Sequence, residues 1–282
     1  MVGRLYVWLM GIKLIALDLD GTVLRADQTI HPTLVSAFSR AREAGITLAI
    51  ATGRAFQSTK RIVQPFAFPG PLICSNGSQV LNDRHETIGS EFLDPDVQEY
   101  LLRYAQKHNI HVSAYSEEGV STLQDSEWLT KYKQLVRGLE IPIIGFDALM
   151  AKTLFKIVYI CEEEELPVHR QKMSFLASDG RAQLTESGPE YLEILPWRAN
   201  KGNGLAKLSK YLCLDSSEIA AIGDYRNDLE MLEWVGTAGA VENALPEVKR
   251  LAQYVVKSNE LGGVAEFIDR CILLNSINSK ES

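Results

Sequence analysis

Read for the alternation of apolar and polar positions, the chain opens its first clear element at Gly11 to Leu17, a nearly unbroken apolar run that stops at Asp18. A strand with no polar face predicts burial on both sides, as in a parallel sheet covered by helices. Pro32 then opens a segment whose Leu34, Phe38 and Ala41 fall on one helical stripe, ended by Gly45. Residues 46–51 form a second buried run, which leads into Thr52, Gly53 and Arg54. After another helical stretch come the apolar residues 71–74 and the turn Asn76-Gly77. Strand, helix, strand, helix, strand is the rhythm of a doubly wound, Rossmann-like α/β sheet.

From about Asp83 to Pro196 the pattern changes, with shorter and more polar segments that alternate strand-like and helix-like patches. Residues 155–160 predict a strand and residues 94–108 an amphipathic helix, while Glu162 to Glu165 read as a solvated helix start. After Pro196 the first rhythm resumes, with a strand over residues 219–222 that runs into Gly223-Asp224 and a helix from Leu229. The chain is therefore expected to fold as a discontinuous core, residues 10–82 plus 197–282, with an α+β domain inserted over residues 83–196. Residues 1–9 are expected to be an extension, because Met10 is itself a plausible start and the apolar run from Leu5 to Met10 is too short to span a bilayer.

Composition narrows the function classes. The 282 residues suit two domains that each bury a core, and a net charge of −7 argues against a nucleic-acid partner, whose phosphates need clustered cations. No apolar run approaches the length of a membrane span. The four cysteines, Cys74, Cys161, Cys213 and Cys271, are scattered without a CxxC pair, so reduced thiols in a cytoplasmic protein are expected. The five histidines show no metal-ligand spacing, so zinc chemistry is not indicated. Nothing in the pattern speaks to oligomeric state.

Ligands of open parallel sheets bind outside the carboxyl ends of the strands. Four polar clusters fall at such places: Asp18-Leu19-Asp20-Gly21-Thr22, then Thr52-Gly53-Arg54, then Lys201-Gly202 at a helix start, then Gly223-Asp224-Tyr225-Arg226-Asn227-Asp228. Each alone has a plain structural reading, since a lone DxD often caps a turn and a glycine after a strand often just permits one. Together they supply carboxylates, an ammonium, a hydroxyl and close-approaching backbone. That inventory suits a hard cation and a phosphate dianion.

In these four clusters the sequence resembles the haloacid dehalogenase-like superfamily, specifically its Cof-type (subfamily IIB) phosphatases. Asn76-Gly77, Ser258-Asn259 and Gly263-Val264 match secondary signatures, and the insertion resembles the family's C2-type cap. The resemblance covers Ile12 to Ile268 and implies a Mg²⁺-dependent phosphomonoester hydrolase acting on a small phosphorylated metabolite. Sugar phosphates, nucleotides and cofactor phosphates are the substrate classes it implies.

Carried over residue by residue, Asp18 matches the nucleophile that forms an aspartyl-phosphate, and Asp20 the general acid and base. Asp18, Asp224 and a backbone carbonyl at Asp20 match the Mg²⁺ ligands, with Asp228 a further ligand or a residue behind them. The Leu19 N–H, Thr52 and the Gly53 N–H resemble the phosphate cradle. Lys201 matches the cation beside nucleophile and phosphate, and Asn227 a further phosphate donor. A phosphomutase and a catalytically idle sugar-phosphate sensor are the alternatives. The first needs a second phosphate site, which no motif marks, and the second a broken catalytic position, while Asp18, Asp20, Lys201 and Asp224 are all present. Departures from the family pattern, at Tyr225, at Trp197 to Asn200 and at Glu242, bear on substrate shape and not on the reaction.

Overall fold

The structure is a computed structural model that describes residues 11–68, 70–135 and 139–278. The extension expected over residues 1–9 lies outside the described residues. Two compact units make up the chain. The first takes the described residues of Met1–Ala51, Phe68–Pro71 and Leu205–Ser282, and the second takes Thr52–Ala67 and Leu72–Gly204. Residues 52–67, 72–82 and 197–204 thus group with the inserted segment, whereas sequence patterning draws its borders at 82/83 and 196/197.

In the first unit five strands run parallel in the order Tyr254–Val256, Thr237–Val241, Ile219–Gly223, Leu14–Asp18, Thr47–Ala51. This is the parallel α/β sheet that the apolar runs predict. Leu14–Asp18 and Ile219–Gly223 are buried at every position, and each Leu or Ile so placed contributes about 1.5–3 kcal/mol of hydrophobic burial. Leu17 pairs in register with Ile222 on one side and Ile50 on the other. The strands therefore end level, and the residues that follow Leu17 and Ile222 emerge at one edge.

Helix Thr33–Glu43 buries Leu34, Ala37, Phe38 and Ala41, and Gly45 closes it at φ +73° with its N–H on the Arg42 carbonyl at 3.0 Å. It packs on helix Gly263–Asn278, where Asp269 takes a two-pronged contact from Arg40 at 2.8 Å per bond.

The second unit holds an antiparallel ribbon, Leu72–Cys74, Gln79–Leu81 and Thr87–Ser90. It also holds a five-stranded antiparallel sheet in the order Gly119–Ser121, His111–Ser116, Lys156–Ile160, Tyr191–Pro196, Ala182–Gly188. Strand alternation gives this sheet two covered faces. On one, Val112, Ala114, Ile157, Tyr159, Leu192 and Ile194 share a core with helices Pro95–His108 and Leu166–Ser178. On the other, Tyr115, Val158 and Ile160 cluster with Leu129, Tyr132 and Ala55. The predicted strand over 155–160 and helix over 94–108 are observed as Lys156–Ile160 and Pro95–His108, and Glu162 to Glu165 lie exposed ahead of the Leu166–Ser178 helix. All four cysteines are free thiols. Among the described residues, no helix is long and apolar enough to cross a membrane.

Candidate active site

The first unit gathers acids at the carboxyl edge of its two central strands. Asp18 ends its strand and is buried, and the neighbouring strand hands on from Gly223 to Asp224. Carboxylate oxygens of Asp18, Asp224 and Asp228 lie within 4.8 Å of one another. Asp228 is fully buried, and its Oδ2 accepts the N–H groups of Asp224 at 2.9 Å and Tyr225 at 3.0 Å. A short 3₁₀ turn, Arg226–Asp228, brings that side chain back onto the strand end. Gly223 leaves the room it needs, since a Cβ there would stand 2.4 Å from Asp228 Cγ. The Thr22 hydroxyl donates to Asp224 Oδ1 at 3.1 Å.

The loop after Asp18 is closed by its own backbone and by two asparagines. Leu24 N–H donates to the Leu19 carbonyl at 2.8 Å, and Gly21 adopts φ +79°. Asn243 Nδ2 donates to the Gly21 carbonyl and Asn259 Nδ2 to the Leu24 carbonyl, both at 2.8 Å, while Asn243 Oδ1 accepts the Asn259 N–H at 3.1 Å. Asp20 is exposed in this loop, Leu19 is buried, and Asn227 is half-buried in its turn. The sequence reading assigns no role to Asn243. Its only signal is its place just after the Thr237–Val241 strand, where a polar residue can reach back across the edge.

The second unit gathers the other candidates. Thr52 N–H donates to the Ile73 carbonyl at 2.8 Å, and the Thr52 carbonyl accepts the Asn76 N–H at 3.0 Å. Arg54 N–H reaches Thr52 Oγ1 at 3.2 Å. The turn Ser75–Gly77 has Ser75, Asn76 and Gly77 all at positive φ. It abuts the start of helix Lys201–Leu212, because a Cβ on Gly77 would fall 2.1 Å from the Asn200 carbonyl oxygen. Asn200 caps that helix, its Oδ1 accepting the Asn203 N–H at 2.7 Å. Thr52, Gly53 and Asn76 thus pack together, and the turn that carries Asn76 abuts the helix that the buried Lys201 opens. Lys201 differs from the other candidates in setting, since it opens a helix after the antiparallel strand Tyr191–Pro196 and does not follow a parallel strand.

Three carboxylates this close, two of them buried, raise one another's energy unless positive charge offsets them. The donors are all hard oxygens, so the set fits a hard divalent cation and not a thiophilic metal. Cys161, Glu165 and His169 also bring possible ligand atoms within 4.8 Å of one another, a grouping that histidine spacing alone does not reveal. There Tyr104 Oη lies 3.1 Å from His169 Nδ1, and burial followed by Glu165, Glu162 and Glu190 holds the Cys161 thiol up at about 11.

A family model described as haloacid dehalogenase-like hydrolase matches residues 15–268. The chain is 29% identical over 288 residues to the 5-amino-6-(5-phospho-D-ribitylamino)uracil phosphatase YwtE of Bacillus subtilis, a match covering 93% of this chain and 98% of that protein. It is 31% identical over 259 residues to the HMP-PP phosphatase of Yersinia pseudotuberculosis, covering 91% of this chain and 94% of the relative. The crystal structure of a haloacid dehalogenase-like hydrolase from Bacteroides thetaiotaomicron is similar at a TM-score of 0.82 and 26% identity, covering 92% of this chain and 99% of that one.

Proposed function

The chain belongs to the haloacid dehalogenase-like hydrolase family, and we propose that it is a Mg²⁺-dependent phosphomonoester hydrolase that works through a phosphorylated Asp18. The observation that carries the reading is the cluster of Asp18, Asp224 and Asp228 at the end of two adjacent parallel strands. A carboxylate nucleophile needs a rigid mount and a neighbouring cation; the strand terminus supplies the mount, and the two further acids supply oxygens that would hold the cation.

Asp18 Oδ attacks phosphorus, the bond from phosphorus to the leaving oxygen breaks, and Asp20 gives that oxygen a proton. Asp20, now a carboxylate, takes a proton from water, whose oxygen attacks the same phosphorus and releases Asp18 and inorganic phosphate. The exposed position of Asp20 suits a group that must meet both a leaving group and water. Lys201, Thr52 and the amides of Leu19 and Gly53 carry phosphoryl charge through both steps, with Asn227 as an additional donor. Asp18, Asp224 and the Asp20 carbonyl would hold Mg²⁺, which when bound supplies charge neutralisation for nucleophile and phosphoryl oxygens. Asp228 fixes the Asp224 backbone through the two N–H groups it accepts and stands behind the ligands.

The substrates are small phosphorylated metabolites. Two relatives named as phosphatases of such compounds support this class. The test is release of phosphate from p-nitrophenyl phosphate and a panel of sugar, nucleotide and cofactor phosphates, read as kcat/KM with Mg²⁺ and with chelator. Turnover that survives chelation, or none with any ester, overturns the reading.

A further inference from the structure

The second unit buries an ion pair that the proposed chemistry does not use. Lys156 is 1% exposed and Glu193 6%. They occupy adjacent antiparallel strands on one face, since Glu193 pairs with Val158 and Lys156 stands two residues before it. Lys156 Nζ donates to Glu193 Oε2 at 3.1 Å and to the Gly53 carbonyl at 2.9 Å, and it lies 4.3 Å from the Tyr115 ring centroid. Glu193 Oε2 also accepts Asn76 Nδ2 at 2.9 Å. Burial, then Tyr132 and Glu193, hold the Tyr115 phenol well above its ordinary range, so it faces the ammonium as a neutral ring.

A buried pair of this kind is a poor source of stability. Removing two charges from water costs several kcal/mol, and well-packed apolar residues in the same space are often neutral or better. The gain must be sought in what the pair holds. It holds Gly53. The Thr52 carbonyl is fixed by the Asn76 N–H at 3.0 Å, and that carbonyl shares its peptide plane with the Gly53 N–H. The next carbonyl, that of Gly53, is fixed by Lys156, and its peptide carries the Arg54 N–H that reaches Thr52 Oγ1 at 3.2 Å. Both planes that flank Gly53 are therefore anchored, one through Asn76 and one through Lys156, and Glu193 joins the two anchors. The Asn76 side chain also crowds the glycine, with Oδ1 3.1 Å from where a Cβ would stand. A glycine left to itself has the widest choice of φ and ψ, so an aimed glycine amide needs such anchors.

We propose that Lys156 and Glu193 are positioning residues for phosphate, a buried strut from the antiparallel sheet that aims the Gly53 amide and the Thr52 hydroxyl. This rests on the phosphatase reading, which gives those two donors to phosphate. Both groups bind a part common to every substrate. Loss of the strut therefore weakens phosphate binding and lowers kcat/KM by a similar factor whatever the leaving group.

The test uses the full chain with Mg²⁺ and two readouts, the inhibition constant of inorganic phosphate and kcat/KM over three esters with unrelated leaving groups. The paired variant Lys156→Met/Glu193→Gln, which leaves no lone buried charge, should raise the phosphate inhibition constant about tenfold or more. Its kcat/KM should fall by factors that agree within about threefold across the esters, with the melting temperature near wild type. The volume-conserving Glu193→Gln alone should raise the phosphate constant about threefold, and it decides the matter if the paired variant does not fold. An unchanged phosphate constant in folded variants, or losses that differ strongly between esters, overturns the strut while leaving the phosphatase reading intact. A wild-type protein without Asp18-dependent turnover overturns both.

Discussion

A Cβ on Gly21 would stand 2.3 Å from Oδ2 of Asp224, and Gly21 holds φ at +79°. Asp224 cannot swing away without cost, because Thr22 donates to its other oxygen at 3.1 Å. Left-handed backbone at a non-glycine residue costs about 1–2 kcal/mol, which a folded unit absorbs. A displaced carboxylate at a reaction centre is less forgiving. Gly21→Ala should lower the melting temperature by only a few degrees and reduce kcat/KM for p-nitrophenyl phosphate by about a hundredfold. Activity within threefold of wild type would show that Asp224 does not need its present position.

Asp18→Asn should abolish steady-state hydrolysis while the fold persists. The amide keeps the volume of the acid but cannot attack phosphorus. Turnover above about 1% of wild type, with contamination excluded, would remove Asp18 from the nucleophile's role.

How much of this was legible in the sequence depended on whether a feature is local. The strand before Asp18 announces itself, because a run buried on both faces has no polar position to hide it. Asp18 and Asp224 were legible for the same reason, since each stands at the end of such a run, and Asp228 lies in the short turn just beyond. Lys156 and Glu193 were not. A charged residue inside a strand ordinarily marks the solvent face, and these two find each other only when strands 37 positions apart pair in one register. Asn243 was hidden similarly, since its bond to the Gly21 carbonyl spans 222 positions. The grouping of Thr52–Ala67 with Leu72–Gly204 follows from tertiary packing around Ala55, Tyr115 and Phe155, which no periodicity encodes.

Replacing Mg²⁺ by Ca²⁺ should inhibit. Ca²⁺ takes six to eight oxygens in loose geometry and readily accepts both oxygens of one carboxylate, whereas Mg²⁺ demands a tight octahedron. An Asp18 with both oxygens engaged has none to offer phosphorus. Equal rates with the two ions would argue against one residue serving as ligand and nucleophile.

Acid should weaken the second unit through His111. The ring is buried in strand His111–Ser116 with Nδ1 2.9 Å from Ser126 Oγ, and burial lowers its pKa to about 4 against a smaller upward pull from Asp125. The unfolded imidazole titrates near 6.5. Between those values the unfolded chain binds the proton more readily, so stability falls as pH drops through this window and levels off below it. From pH 7 to pH 5 the loss is about 2 kcal/mol. Denaturation midpoints should fall less steeply over that interval in His111→Asn than in wild type, even if the variant is weaker at pH 7. Parallel slopes would exclude His111 as the group responsible.

Substrate choice should follow the inserted segment. On the proposed reading Asp18, Asp224, Thr52, Gly53 and Lys201 serve the cation and the phosphate, and the phosphate is common to every phosphomonoester, so none of them would rank leaving groups. Ranking requires contacts to the rest of the molecule, and an enzyme converts those contacts into rate only when they strengthen toward the transition state. The segment over residues 83–196 carries no catalytic candidate, yet it builds a complete sheet with two covered faces. A segment that size, free of the chemistry, can vary without harming it. Lys156 and Glu193 are the expected exceptions inside it, since they should move all substrates together. Exchanging residues 84–194 for the equivalent segment of a relative with another substrate, then repeating the phosphate panel, should re-order kcat/KM toward that relative's preference. Should the folded chimera keep the original order, discrimination resides outside the segment. The exposed aromatics Trp197 and Tyr225, 47% and 37% accessible, are then the residues to replace next.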